Sequence, residues 1–318
     1  MEEFWCMTGD LPLLGFGLPV SGSWATPDTM RHIACLAEEL GYASLWTFQR
    51  LLDPVGAGQG EAHRSVHDSA VALAYVAGHT GRIGLGTATV CAPFTPPVVL
   101  AKTMASLDVV SRGRLSVGLG IGWMRQEYAA AGVPFTRRGA RMDEYLRCLT
   151  ALWTQDPVEF DGEFYTVPSS HVAPRPVQRP HPPVLLGGTA APALRRAGRL
   201  AQGWIGSSHQ DLSRIGACAD LVRDGAREAG RDPSAVRIVV RGVVDLVDDR
   251  PPSRRPLQGT REQIVDDLRA LHAHGATEVF LDLNLAPRVG SPDADPAVSV
   301  AYAEQVLDVF APAQRSTT

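Results

Sequence analysis

The chain has 318 residues, 45% hydrophobic and 20% charged, which suits one large α/β core spanning residues 1–318. A formal charge of −4 and a pI near 6.1 exclude a global basic field for nucleic acid or an anionic membrane. Five scattered cysteines (Cys6, Cys35, Cys91, Cys148, Cys218) without a C-x-x-C pair exclude a disulfide framework and a zinc knuckle.

The N-terminal Met1-Glu2-Glu3-Phe4-Trp5 lacks the basic start of a signal peptide, and no stretch nears the roughly 20 apolar residues of a membrane span, so a cytoplasmic protein without membrane contact is expected. Along the chain, short apolar runs alternate with helical patterns. Strands are predicted over 13–20, 44–49, 82–90, 114–122, 183–188, 203–208, 236–246 and 278–285. Helices are predicted over 27–40, 67–79, 97–110, 142–153, 191–200, 212–229, 260–274 and 296–310. Thr26-Pro27 supplies a capping hydroxyl before a first-turn proline, and Gly41 a left-handed stop after Leu40. Eight β/α units define a (β/α)8 TIM barrel, although an open doubly wound sheet uses the same alternation.

Two segments interrupt the repeat. An insertion between strands four and five holds a hairpin around Asp161-Gly162 and a proline-rich run from Val172 to Pro183; the other, Asp248 to Gln258, reads as a lid or a plain surface loop. In strand four, Leu115, Val117, Leu119 and Ile121 alternate with Ser116, Gly118, Gly120 and Gly122. Glycine forfeits packing in a strand, so something flat approaches that backbone, or the glycines serve close packing.

Chemistry in a TIM barrel gathers where the strands end. Strand five ends in Gly187-Gly188-Thr189 before a helix, and strand six in Ser207-Ser208-His209. Backbone N–H groups, hydroxyls and a helix dipole make this an anion site, most simply for phosphate; the alternative is a tight turn capped by Thr189. His63, His67 and Asp68 lack metal-ligand spacing, and a loop with a helix cap explains them. The glycines fit neither G-x-G-x-x-G nor a P-loop.

The ordered set Gly41-Tyr42-Ala43-Ser44-Leu45-Trp46, Arg82–Thr87, Leu107–Leu115, Gly118–Trp123, Phe160–Tyr165, Pro182–Gly188 and Gly203-Trp204 resembles the luciferase-like flavin and deazaflavin oxidoreductases, in particular their F420-dependent branch. The resemblance implies a barrel that seats coenzyme F420 at the strand ends, with hydride passing at the ring's C5 to or from a small organic substrate. It also implies a non-proline cis peptide at Ala88-Thr89 backing the ring, and a homodimer. Cofactor contacts would then fall to Gln49, Thr87, Ala88, Thr89 and Gly120, with Gly187, Gly188, Thr189 and Ser207 at the phosphate. Arg50, Ile121 and Trp123 would face substrate.

One departure is informative. Where many F420 members carry an Asp-His pair, this chain has Gln49 and Arg50, neither of which acts as a base near neutral pH. This makes sugar-phosphate dehydrogenation doubtful and leaves the catalytic residues unassigned. The shared motifs equally admit an FMNH2-dependent monooxygenase, and the missing pair admits a non-catalytic cofactor-binding barrel.

Overall fold

The computed structural model describes residues 10–56, 60–207, 210–251 and 253–312; Cys6, Ser208 and His209 lie outside them. Eight parallel strands form the barrel: β1 (Leu13–Gly17), β2 (Ser44–Thr47), β3 (Gly84–Thr87), β4 (Leu115–Gly120), β5 (Val184–Gly187), β6 (Gly203–Ile205), β7 (Arg237–Val243) and β8 (Glu278–Asp282). Each pairs with its sequence neighbours, and β1 pairs with β8. The sheet therefore closes on itself, which rules out the open doubly wound alternative. The surrounding helices are α1 (Pro27–Glu39), α2 (Ser69–Ala77), α3 (Pro97–Val110), α4 (Arg138–Thr154), α5 (Ala191–Leu200), α6 (Ile215–Glu228), α7 (Arg261–Ala273) and α8 (Pro296–Val309). Among the described residues no helix is long and apolar enough to cross a membrane.

Local chemistry explains the ends of these elements. The Thr26 hydroxyl accepts from the Thr29 N–H at the start of α1, and Gly41 stops it at φ +85°. Asp68 caps α2 by accepting from Ala70 and Val71, so this member of the His63–Asp68 group has a structural task. The hairpin pairs Val158–Asp161 with Thr166–Ser170. Its turn is held by the buried Glu144 carboxylate, which accepts from the N–H groups of Glu163, Phe164 and Tyr165. The loop after β7 is pinned by pairing of Asp245–Leu246 with Gln258–Gly259 and by Asp267, which receives the Leu257 N–H.

Apolar side chains fill two separate cores. The larger lies between strands and helices; the smaller is the barrel interior, with Trp46, Ala88, Leu185, Ile205, Val239 and Phe280. Trp46 and Phe280 stack with centroids 5.5 Å apart. Gly86 is required here, because a Cβ on it would stand 2.3 Å from the Trp46 ring. Beneath this layer sits a polar floor. Glu278 accepts from Trp46 Nε1 (2.8 Å), from the Ser44 hydroxyl and from Arg237 (2.9 Å), and Arg237 also donates to Ser116 (3.0 Å).

Many residues behind the family resemblance turn out to be scaffolding at this lower end. Arg114 donates to the carbonyls of Ser111, Ile83, Ala77 and Thr80. Asp108 accepts from Val177 and Gln178 in the proline-rich run. Gln202, which stands where the family usually has Asp before the Gly203-Trp204 match, ties β5 to β6 by accepting from the Val184 N–H.

Candidate cofactor site at the barrel mouth

The mouth is shaped by a fault between β3 and β4. Gly86 lies opposite Ser116, and pairing resumes with Val90 opposite Leu119, so one strand takes four steps where the other takes three and Thr87–Thr89 bulges out. The Ala88-Thr89 peptide is cis, as the resemblance implied. Thr87 plugs the gap. Its hydroxyl donates to the Gly118 carbonyl and accepts from the Gly118 N–H, both at 2.8 Å.

This bulge accounts for the glycines of β4. A Cβ on Gly118 would lie 1.8 Å from the Thr87 carbonyl oxygen, and one on Gly120 would lie 2.6 Å from the Thr89 hydroxyl. What approaches the β4 backbone closely is thus the neighbouring strand. Gly122 has φ +69° and abuts Phe94 and Tyr128.

The strand ends bring several expected residues together. Thr89 stands against Gly120 and against Gly187, whose Cβ position is 3.3 Å from the Thr89 methyl. Gln49 accepts from the Cys91 N–H at 2.8 Å, joining the end of β2 to the strand just past the bulge. Gly188 takes φ +137°, and its carbonyl accepts from Trp204 Nε1 at 2.7 Å. Thr189 and Ser207 are exposed beyond the neighbouring ends of β5 and β6. The N-cap of α5 is Ala190, with no side-chain cap, so Thr189 does not serve as the capping residue.

Arg50 is turned away from open solvent. It pairs with Glu127 at 3.3 Å, its side chain 8% exposed, and its guanidinium lies 5.0 Å from the Trp123 ring. Glu127 also accepts from the Leu51 N–H at 2.8 Å. Trp123 itself is 53% exposed. Ile121 is half-buried, and its carbonyl receives the Tyr128 hydroxyl. Burial pushes the Cys91 thiol up to about 12, with Glu127 adding and Arg50 opposing; it is a neutral thiol at the rim rather than a nucleophile.

Sequence reasoning missed Arg241 and Asp282. They sit on β7 and β8 with Nε and Oδ2 3.2 Å apart and side chains 6% and 1% exposed. Arg241 donates to the Ala88 carbonyl at 2.8 Å, and its guanidinium lies 5.3 Å from the rings of both Phe48 and Phe280. Burial pulls the guanidinium below its usual range while Asp282 opposes the shift. The available signal was a pair of charged residues, Arg237 and Arg241, inside the otherwise apolar run Val236–Val244.

A closed barrel with a bulged β3, glycines along β4 and an uncapped helix after β5 agrees with the sequence comparison: residues 14–252 match the luciferase-like monooxygenase family, and the chain belongs to it. An uncharacterized protein of Mycobacterium tuberculosis (strain ATCC 25618 / H37Rv) is 40% identical over 181 residues, 56% of this chain and 63% of that protein. The chain thus spans just under two thirds of this relative's length. The FMNH2-dependent dimethylsulfone monooxygenase of Pseudomonas putida is 31% identical over 255 residues, 78% of this chain and 67% of that enzyme.

Among solved structures, monooxygenase RslO1 from Streptomyces bottropensis superimposes with a TM-score of 0.77 at 23% identity, covering 94% of this chain and 98% of that one. An F420-dependent secondary alcohol dehydrogenase in complex with an F420-acetone adduct gives 0.75 at 16%, covering 94% and 99%. At such identities the structural likeness establishes the shared barrel. Proteins that use FMN and proteins that use F420 therefore both stand among those similar to this chain.

Proposed function

We propose that this chain is an oxidoreductase that seats the ring of coenzyme F420 on the Ala88-Thr89 bulge and moves a hydride between it and a small organic substrate. The observation that carries this reading is the floor of the mouth. Ala88 belongs to the apolar filling of the barrel, and the adjoining Thr89 packs over Gly120 and Gly187, so a flat ring laid on the bulge meets backbone and methyl groups there. Such a cofactor supplies the redox chemistry when bound, while the protein orients it and excludes water.

In this reading Gln49, Thr87, Thr89 and Gly120 shape the ring's edge. Gly187, Gly188, Thr189 and Ser207 hold the phosphate beside the uncapped start of α5, where the helix dipole and backbone donors favour an anion. Trp123 and Ile121 line the substrate side, with Arg50 held behind Trp123. With Arg50 committed to Glu127 and Gln49 to Cys91, neither side chain moves a proton, which favours substrates whose turnover needs no strong base.

A second reading, an FMNH2-dependent monooxygenase, is supported by the likeness to the Pseudomonas putida enzyme. Absorbance and fluorescence titrations of the purified protein with F420 and with FMN decide between the two. Micromolar binding of F420 with hydride transfer supports the first, selective FMN binding the second, and binding of neither rejects both. A single folding unit, a cytoplasmic setting and a homodimer belong to the same reading. The dimer is supported by exposed Val98, Val99, Val109 and Val110 on α3 beside Val71 on α2, and light scattering tests it.

A further inference from the structure

We propose that Arg241 is a positioning residue: it holds the Ala88 carbonyl, and through it the floor on which the cofactor ring rests. This inference depends on the ring-binding reading above. Arg241 lies on β7 two residues above Val239, inside a barrel whose filling is otherwise Trp46, Ala88, Leu185, Ile205, Val239 and Phe280. Charge in such a place is costly. A buried ion pair gains little over apolar residues of the same volume, so it is weak evidence of a stabilising role.

The geometry of the pair points the same way. Arg241 Nε and Asp282 Oδ2 are 3.2 Å apart, yet neither atom has a hydrogen-bond partner among the described residues. The bond that is well made is the one to Ala88, at 2.8 Å. Asp282 is itself fixed, its Oδ1 accepting from the Asn284 backbone and side chain at 3.0 and 2.9 Å. Asn284 in turn accepts from Val20 and donates to Leu18. Arg241 thus links the end of β8, and behind it the segment after β1, to the bulge on the opposite wall.

Removing the guanidinium leaves the Ala88 carbonyl buried without that partner and free to tilt. The methylenes and the neighbouring rings of Phe48 and Phe280 leave room for an unbranched apolar replacement of similar length. Arg241→Met is therefore the direct variant. The double variant Arg241→Met with Asp282→Leu removes both charges and serves where the single change does not fold. Arg237→Met, in the polar floor, is the control for general loosening of the barrel.

The measurements are the dissociation constants of F420 and FMN, the absorption maximum of the bound cofactor, and the melting temperature of the protein without it. Loss of one hydrogen bond from a charged donor predicts a weakening on the order of tenfold, with a shifted absorption maximum, in a variant that still melts cooperatively. Arg237→Met is expected to lower the melting temperature and leave affinity and spectrum unchanged. Wild-type affinity and spectrum in the double variant would overturn the proposal, as would equal losses of binding in Arg237→Met and Arg241→Met. If the wild-type protein binds neither cofactor, the ring-binding reading falls first and takes this inference with it; normal wild-type binding with an unaffected double variant sinks this inference alone.

Discussion

Two arginine–carboxylate pairs bridge β7 and β8 four residues apart, Arg237 with Glu278 and Arg241 with Asp282, and they are built differently. In the lower pair Glu278 receives three side chains and Arg237 reaches Ser116, so both charges are satisfied by groups that also knit β2, β4, β7 and β8 together. The upper pair leaves facing atoms unmatched and sends its firm bond to the backbone of the bulge. The lower end of the barrel is a closed lattice, whereas the upper end spends a buried charge on aiming one carbonyl. The same two residue types on the same two strands therefore serve a scaffold at one level and the candidate site at the next.

The sharpest way to break this contrast is to remove each carboxylate. Asp282→Leu strands the Arg241 charge in the barrel and should cost about 3–5 kcal/mol in denaturant unfolding. Glu278→Leu should cost less, about 2–3 kcal/mol, because the Arg237 side chain is 33% exposed and water can reach it. Reversal of that order would mean the lower pair is the more isolated one. Next in size is Gly118→Ala, which forces a methyl against the Thr87 carbonyl. A loss of about 1–3 kcal/mol is expected, with weaker binding of the ring cofactor because the bulge must move; unchanged binding in calorimetry would detach the bulge from the site.

A smaller effect belongs to the floor. Trp46→Phe removes the donor to Glu278 and Ser44 while keeping a ring against Phe280, so about 1–2 kcal/mol of stability should go with cofactor affinity intact. The smallest test concerns pH at the lower rim. Partial burial alone would raise the Glu38 carboxyl, but N–H groups of Ile83, Arg82 and Gly81 bring it below its ordinary 4.5. A carboxylate with a depressed folded-state pKa contributes stability that is present above the unfolded pKa and lost as pH falls through the folded one. Glu38→Gln should therefore be slightly less stable at neutral pH and lose less on acidification, as melting temperatures from pH 7 to pH 3 would show.

Most of the fold was legible in the chain, because eight apolar runs and eight helical patterns reproduce the barrel elements, with α3 and α5 beginning and ending where they were predicted. The strand predictions overran mainly at their C-terminal ends: 44–49 became Ser44–Thr47 and 203–208 became Gly203–Ile205. Those surplus residues diverge from the ladder to form the mouth, which periodicity does not register. The β4 glycines were read correctly as a place of close approach, but whether a neighbouring strand or a ligand does the approaching depends on a register shift between β3 and β4 that no single-strand pattern encodes. Arg241 and Asp282 were missed for a related reason. Each is the second charged residue of an otherwise apolar strand, after Arg237 and Glu278, and only pairing of β7 with β8 makes them neighbours.

The bond from Cys91 to Gln49 also sets the polarity of one corner of the mouth. Because the Gln49 carbonyl oxygen is engaged by that backbone N–H, the end of the side chain left over is its NH2 group, a pure donor. In the proposed site a ligand arriving along β2 would meet that donor, while the carbonyl oxygen keeps only its second lone pair to accept with.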